Sequence, residues 1–262
     1  MGKSIILRRA AALALLAGLA AGPAGAAELK VLCAAAMRPV LQELGPAFEK
    51  SSGHKLSIEY ATAGKIDEKV AADEAIDVAI SAKPGVDKLV RVAKLVGGST
   101  VTLAQAPIGM AVKKGAPKPD ISSVDAFKKA LLNAKSIAII DPASGGASGV
   151  YLAQALEKLG IAELKPKTQL VSPPAGQGTA GVGEVVARGE AEIGLQPISQ
   201  LMMVQGIDIV GPLPGELQSA DLSFMAASPA VSEQPLAAKA LIDFLAAPEA
   251  KSVYRAKGME PA

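Results

Sequence analysis

From Glu28 onward, short apolar runs alternate with segments whose apolar positions recur every three or four residues. That pattern predicts strands alternating with amphipathic helices. "ELKVLCAAA" reads as a strand. "RPVLQELGPAFEKSSG" reads as a helix with Gly53 near its end. "KLSIEYA" alternates as a strand should. "KIDEKVAAD" predicts a short helix, "AIDVAIS" a strand and "VDKLVRVAKLV" a helix. The run "TVTLAQAPIGMAVKKGAPKP" is different: long, extended and broken by prolines. After it the alternation resumes with helix "SVDAFKKALLNA", strand "SIAIID" and helix "GVYLAQALEKLG". Strand "KTQLVS", helix "GVGEVVARGE" and strand "AEIGLQPI" follow. "DIVGPLPGELQSADLSFMAAS" is extended again, and "QPLAAKALIDFLAAPEAKSVYRAKG" predicts a long helix and then a shorter one.

This is α/β patterning with a sheet rich in parallel pairs. The two extended stretches look like crossings between two lobes. The first lobe is expected at residues 27–107 plus 226–262, the second at 108–225. A cleft between lobes is a preferred ligand position, and a connection by two segments suits hinged closure.

Four strand-to-helix junctions carry small residues: "AAAMRP" and "ATAGKI" in the first lobe, "DPASGGASGVY" and "PPAGQGTAGV" in the second. Glycine lets a ligand approach the backbone, and serine offers a hydroxyl and a helix cap. The first N–H groups of a helix lack internal partners and carry partial positive charge. One such loop is usually only a turn. Four at equivalent places point to an anion held between helix N-termini. None of the four has the spacing of a dinucleotide fingerprint or a GK[ST] phosphate loop.

The first 26 residues stand apart. Lys3, Arg8 and Arg9 precede the apolar run "AAALALLAGLAA", and "AGA" closes it. This reads as a secretory signal peptide that leaves Ala27 as the mature start. Its removal takes three basic residues and no acid, so the net charge falls from +2 to −1. No basic stripe with interleaved aromatics suggests nucleic acid. The chain has one cysteine, Cys33, in an apolar strand, so no intrachain disulfide can form. Its one histidine, His54, falls in a turn. Zinc sites and a Ser–His–Asp triad therefore have little material. No cofactor motif is present, and none is expected.

The order and spacing of several blocks resemble the periplasmic molybdate-binding proteins and their wider solute-binding relatives. The blocks are "VLCAAAMRPVLQEL", "IEYATAGKI", "AIDVAISA", "IAIIDPASGGASGVYLAQALEKLG", "GEAEIGLQPISQL" and "LIDFLAAPEAKSVYRAKGM". The resemblance implies a two-lobed periplasmic binding protein fold of type II with two hinge crossings. It places ligand contacts in the small-residue loops. Where such proteins carry a serine in the first loop, this chain has Met37, followed by Arg38. The second loop reads Thr62, Ala63, Gly64, followed by Lys65. Ser144 and Ser148 fall in the third loop, and Thr179 in the fourth. A tyrosine after the strand "GIVY" gives way to Gln196 and Pro197 in "GLQP".

Hydroxyl donors are thus exchanged for cations. Arginine and lysine suit carboxylates, and arginine can bind them bidentately. The resemblance extends to one branch of the family, the periplasmic aconitate isomerases, and implies an allylic proton shift between trans- and cis-aconitate. Arg38, Lys65, Ser144, Ser148 and Thr179 would hold the tricarboxylate. Lys65 or Tyr151 would move the proton, with Glu184 a third choice expected to face solvent. The alternative is a monomeric transport receptor that delivers a carboxylate or oxyanion to a membrane permease.

Overall fold

The computed structural model describes residues 26–172 and 181–262. The expected signal peptide and most of the fourth loop, Thr179 included, lie outside them. Eleven strands and nine α-helices alternate along the described chain. The first half-lobe runs β1 (Glu28–Ala34), α1 (Arg38–Ser52), β2 (Lys55–Ala61), α2 (Ala63–Ala71), β3 (Val78–Ala82), α3 (Lys83–Arg91) and β4 (Val101–Gln105). The chain then crosses through Ala106 and Pro107 into β5 (Ile108–Lys113). The second sheet is completed by α4 (Val124–Asn133), β6 (Ile137–Ile140), α5 (Ala147–Lys158), β7 (Thr168–Val171), α6 (Gly181–Arg188), β8 (Ile193–Pro197), α7 (Ile198–Leu201) and β9 (Ile207–Pro212). The chain returns in β10 (Ser223–Ala227), then α8 (Pro235–Ala246), α9 (Lys251–Ala256) and β11 (Glu260–Pro261).

The strands form two sheets, ordered β11-β4-β10-β3-β1-β2 and β7-β6-β8-β5-β9. In the first, β1 runs parallel to β2 and β3, while β10 is antiparallel to β3 and β4. In the second, β6 is parallel to β7 and β8, while β5 is antiparallel to β8 and β9. β10 enters the first sheet at Ser223, so it straddles the expected boundary between residues 225 and 226.

Sequence pattern and burial agree strand by strand. β3 is buried throughout, as a continuous apolar run covered on both faces should be. β2 alternates because it is the edge strand. α1 packs Val40, Leu41, Leu44 and Phe48 into the first core and ends at Gly53, φ 79°. A left-handed φ is the usual way a glycine stops a helix. Leu241, Leu245 and Tyr254 from α8 and α9 fill the same core, so the C-terminal segment belongs to the first lobe. The second lobe has its own core around Ile108, Met110, Phe127, Leu131 and Leu195. Cys33 is buried in the first, and burial pushes its thiol pKa well up, which leaves it inert.

His54 is not simply an exposed turn residue. Its ring stacks on Phe48, and its Nδ1 accepts the Ala27 N–H at 3.1 Å.

Candidate functional site

The small-residue junctions meet between the sheets. Ala34 ends β1 and Ala35 and Ala36 follow it, Thr62 and Ala63 open α2, and Gly146, Ala147 and Ser148 open α5. With Pro197 and Gln200 they line a cavity of about 40 Å³. The helices α2 and α5 therefore begin at its wall. Their first N–H groups have no partners within the helix, so the cavity sits in a field that favours an anion.

The lobes are in direct contact here. The Gly64 N–H donates to the Gly145 carbonyl at 2.9 Å. The Thr62 hydroxyl donates to the Ser144 carbonyl at 2.8 Å. The same Thr62 oxygen caps α2 by accepting the Lys65 N–H at 3.4 Å. A third link lies across the cleft: the Ser199 hydroxyl on α7 donates to the Ala36 carbonyl at 3.0 Å. Gly145 has φ 72° and follows a short 3-10 turn, Pro142–Ser144. That turn is fixed by the Asp141 carboxylate, which accepts the Ala143 N–H at 2.9 Å.

The expected site residues divide into four groups, three of them at the cavity. Ala63 and Ser148 line the cavity, and Ser148 is buried. Gly64 and Ser144 form its closing edge through their backbones; the Ser144 hydroxyl is turned back onto the Asp141 carbonyl at 2.7 Å. Gln196 lies just behind the wall, wholly buried, and donates from Nε2 to Gln200 Oε1 at 3.0 Å.

The others do not line the closed cavity. Met37 is 0 % exposed and packs into the first core. The 3-10 turn Ala35–Met37 rotates it inward and leaves the alanines at the surface of the cleft. Arg38 is half-buried at the start of α1, its guanidinium carbon 4.4 Å from the centre of the Tyr60 ring. Lys65 is turned outward, 59 % exposed at its side chain, with Nζ 2.8 Å from Glu68. Tyr151 donates its hydroxyl to the Leu217 carbonyl at 2.7 Å and borders a groove with Glu216 and Asp221. Burial, with Asp221 nearby, raises its pKa further from neutrality. Glu184 is not the solvent-facing residue expected: it is half-buried, and its Oε2 has no hydrogen-bond partner among the described residues. Burial raises its pKa, opposed by Arg188.

Two features were missed from sequence. Gln200 lies four residues after Gln196, a polar pair flanking Pro197 in an apolar block. Asp67, half-buried on α2, accepts a hydrogen bond at 3.0 Å from Ser81, itself wholly buried. Burial raises the Asp67 pKa, opposed by the Ser81 hydrogen bond and Lys88.

A two-sheet fold with helix N-termini facing a cleft is common to many binding proteins. Residues 29–260 match the family described as bacterial extracellular solute-binding protein. The chain belongs to that family. Among curated relatives, an aconitate isomerase from a Pseudomonas species is 38 % identical over 241 residues, spanning 89 % of this chain and 87 % of that one. A molybdate-binding protein from Azotobacter vinelandii is 31 % identical over 249 residues, spanning 94 % of each. Among solved structures, the periplasmic molybdate-binding protein of Azotobacter vinelandii superposes with a TM-score of 0.71 at 20 % identity. That match covers 88 % of this chain and 98 % of the other. The structural likeness establishes the two-lobed fold. No helix among the described residues is long and apolar enough to cross a membrane.

Proposed function

We propose that this solute-binding protein is an isomerase that interconverts trans- and cis-aconitate in its interlobe cleft. The observation that carries the reading is its likeness to an aconitate isomerase, 38 % identical across most of both chains, against 31 % for a molybdate-binding relative. The chemistry of the wall agrees. Alanines stand at Ala34–Ala36 and a proline at Pro197, so the side-chain hydroxyls left around the cavity are those of Thr62 and Ser148. Thr62 already spends its proton on the Ser144 carbonyl. A tetrahedral oxyanion would meet few side-chain donors. Helix N-termini suit carboxylates better, and Arg38, which stands outside the closed cavity over the Tyr60 ring, would add a cation only by turning inward when the cleft opens.

The reaction removes a proton from a methylene beside the double bond and returns it at the far end of the allyl unit. The charge that develops is delocalised into a carboxylate, and the N-termini of α2 and α5 are placed to stabilise it. Lys65 is our candidate base. Its link to Glu68 is an exposed pair, worth about 0–1 kcal/mol, so turning Nζ inward across the opened cleft costs little. Tyr151 and Glu184 are the rivals, each already partly withdrawn from water. The cavity holds only a few water molecules when closed, so a tricarboxylate must be taken up in a more open pose, with the Gly64–Gly145 contact released.

The cavity's small size favours a second reading, a receptor that hands an oxyanion or small carboxylate to a permease. Incubating the protein with trans-aconitate and following the vinyl protons by NMR separates the two. Appearance of cis-aconitate supports the isomerase; tight binding of an anion without conversion supports the receptor.

A further inference from the structure

Gln200 is 6 % exposed and belongs to the cavity wall, at the third residue of the short helix α7. Its Oε1 is already engaged, accepting from Gln196 Nε2 at 3.0 Å. What remains to it is the amide N–H pair, which makes no hydrogen bond to any described residue. The Gln196 carboxamide beneath is 0 % exposed, and its own Oε1 has no partner among the described residues. A buried acceptor without a donor is a cost that folded proteins rarely carry without a reason. Here the orientation that leaves the acceptor unpaired is the one in which Gln196 donates to Gln200. Turning both amides over would instead leave a donor unpaired behind the wall and present a carbonyl oxygen to the cavity. With Oε1 taken up by Gln196, the groups Gln200 has left to offer a ligand are donors, not acceptors.

We propose that Gln200 is a specificity-determining residue. Its amide N–H donates to a carboxylate oxygen of the bound anion, and Gln196 is the positioning residue that holds Gln200 Oε1 away from the ligand. The backbone reinforces this geometry. The neighbouring Ser199 hydroxyl donates to the Ala36 carbonyl at 3.0 Å, which ties α7 to the first lobe. Gln200 therefore moves with closure and meets an anion held at the N-termini of α2 and α5. A neutral carboxamide can supply this donor without adding charge to a site already biased toward anions. The inference rests on the carboxylate reading above, because it takes the ligand to offer an acceptor oxygen at this wall.

The test is calorimetric binding of trans-aconitate to wild type, Gln200→Met, Gln200→Glu and Gln196→Met, with turnover measured in parallel and thermal melts confirming folding. Loss of a hydrogen bond to a charged group should weaken binding by Gln200→Met about 10- to 100-fold. Gln200→Glu, which replaces the donors with like charge, should weaken it at least as much. Gln196→Met should weaken binding less, because Gln200 keeps its donors but loses their fixed direction. In turnover, that variant should show a raised KM with kcat largely kept. Wild-type affinity in both folded Gln200 variants would overturn the proposal. So would a Gln196→Met variant that lowers kcat and leaves KM untouched. If wild type itself binds no tricarboxylate, the carboxylate reading fails, and with it the ligand assigned to Gln200. Should Gln200→Met prevent folding, the isosteric Gln200→Glu carries the test.

Discussion

Gly64→Ala is the substitution that acts most directly on closure. A Cβ built at Gly64 would lie 2.9 Å from Gly145 Cα and 3.2 Å from its carbonyl oxygen. Both are backbone atoms of a turn held by the Asp141 cap, so neither can swing aside as a side-chain tip would. Ordinary contact needs about 3.5–4.0 Å between carbons, and the lobes must part by most of the difference. That separation stretches the Gly64–Gly145 hydrogen bond at 2.9 Å and the Thr62–Ser144 bond at 2.8 Å. Each is worth about 0.5–1.5 kcal/mol net, so closure should be disfavoured by about 1–3 kcal/mol. The apparent affinity for a small carboxylate that needs the closed form should fall about 5- to 150-fold, while that for a tricarboxylate, bound with this contact released, should not fall. The fold itself should not suffer. Gly64 lies in the first turn of α2 with no left-handed φ, where alanine is the better helix former by about 1 kcal/mol. The assay pairs calorimetry with small-angle scattering: a larger radius of gyration, weaker acetate binding, undiminished trans-aconitate binding and an unchanged or higher Tm are expected. Unchanged acetate affinity and unchanged dimensions would refute the argument that this contact sets the closed state.

Ser148→Ala should weaken anion binding by about 10-fold, the value of a hydrogen bond to a charged group; titration by calorimetry checks it. Lys65→Ala should lower kcat by about 100-fold or more if Lys65 is the base, since positioned proton transfer contributes about 10²–10⁴-fold. Lys65→Arg should not restore it, and full activity in Lys65→Ala would remove Lys65 from the mechanism. Asp67 has a folded-state pKa raised by burial, so the native state binds its proton more tightly than the unfolded chain does. Its contribution is therefore most favourable at low pH and is lost as pH rises from the ordinary carboxylate value of 3.8 through the folded value. Asp67→Asn should accordingly raise Tm at pH 7 more than at pH 4, which melts at the two pH values decide. Gly85→Ala should cost about 1–3 kcal/mol in a denaturant titration, because a Cβ there would lie 2.0 Å from Asp67 Oδ2 and displace it from Ser81.

Much of the fold could be read from hydrophobic spacing. Continuous apolar runs became buried strands such as β3, alternation became the edge strand β2, and the two proline-broken stretches became the crossings around Pro107 and into β10. The candidate site was legible as loops but not as side-chain directions. Met37 is adjacent to the cavity in sequence and points away from it, because a three-residue 3-10 turn sets its direction and carries no periodic signal. Lys65 follows a glycine loop, yet its nearest opposite charge is Glu68 at a spacing of three on the outer face of α2. Tyr151 is captured by the Leu217 carbonyl, 66 residues away, a contact that no local pattern encodes. Gln200 was missed although a signal was present: two amides four residues apart, flanking a proline at the end of a buried strand, must either pair or remain unsatisfied.

The proposed activity requires the cleft to perform chemistry on a tricarboxylate as well as bind it. It is tested most directly by adding purified protein to trans-aconitate in deuterated water and recording proton NMR spectra over time. Cis-aconitate should form in the presence of wild type, with deuterium entering the allylic positions, and conversion should be strongly slowed in Lys65→Ala. A spectrum that stays that of trans-aconitate while calorimetry shows tight binding of that or another anion would rule out the isomerase and make the protein a receptor.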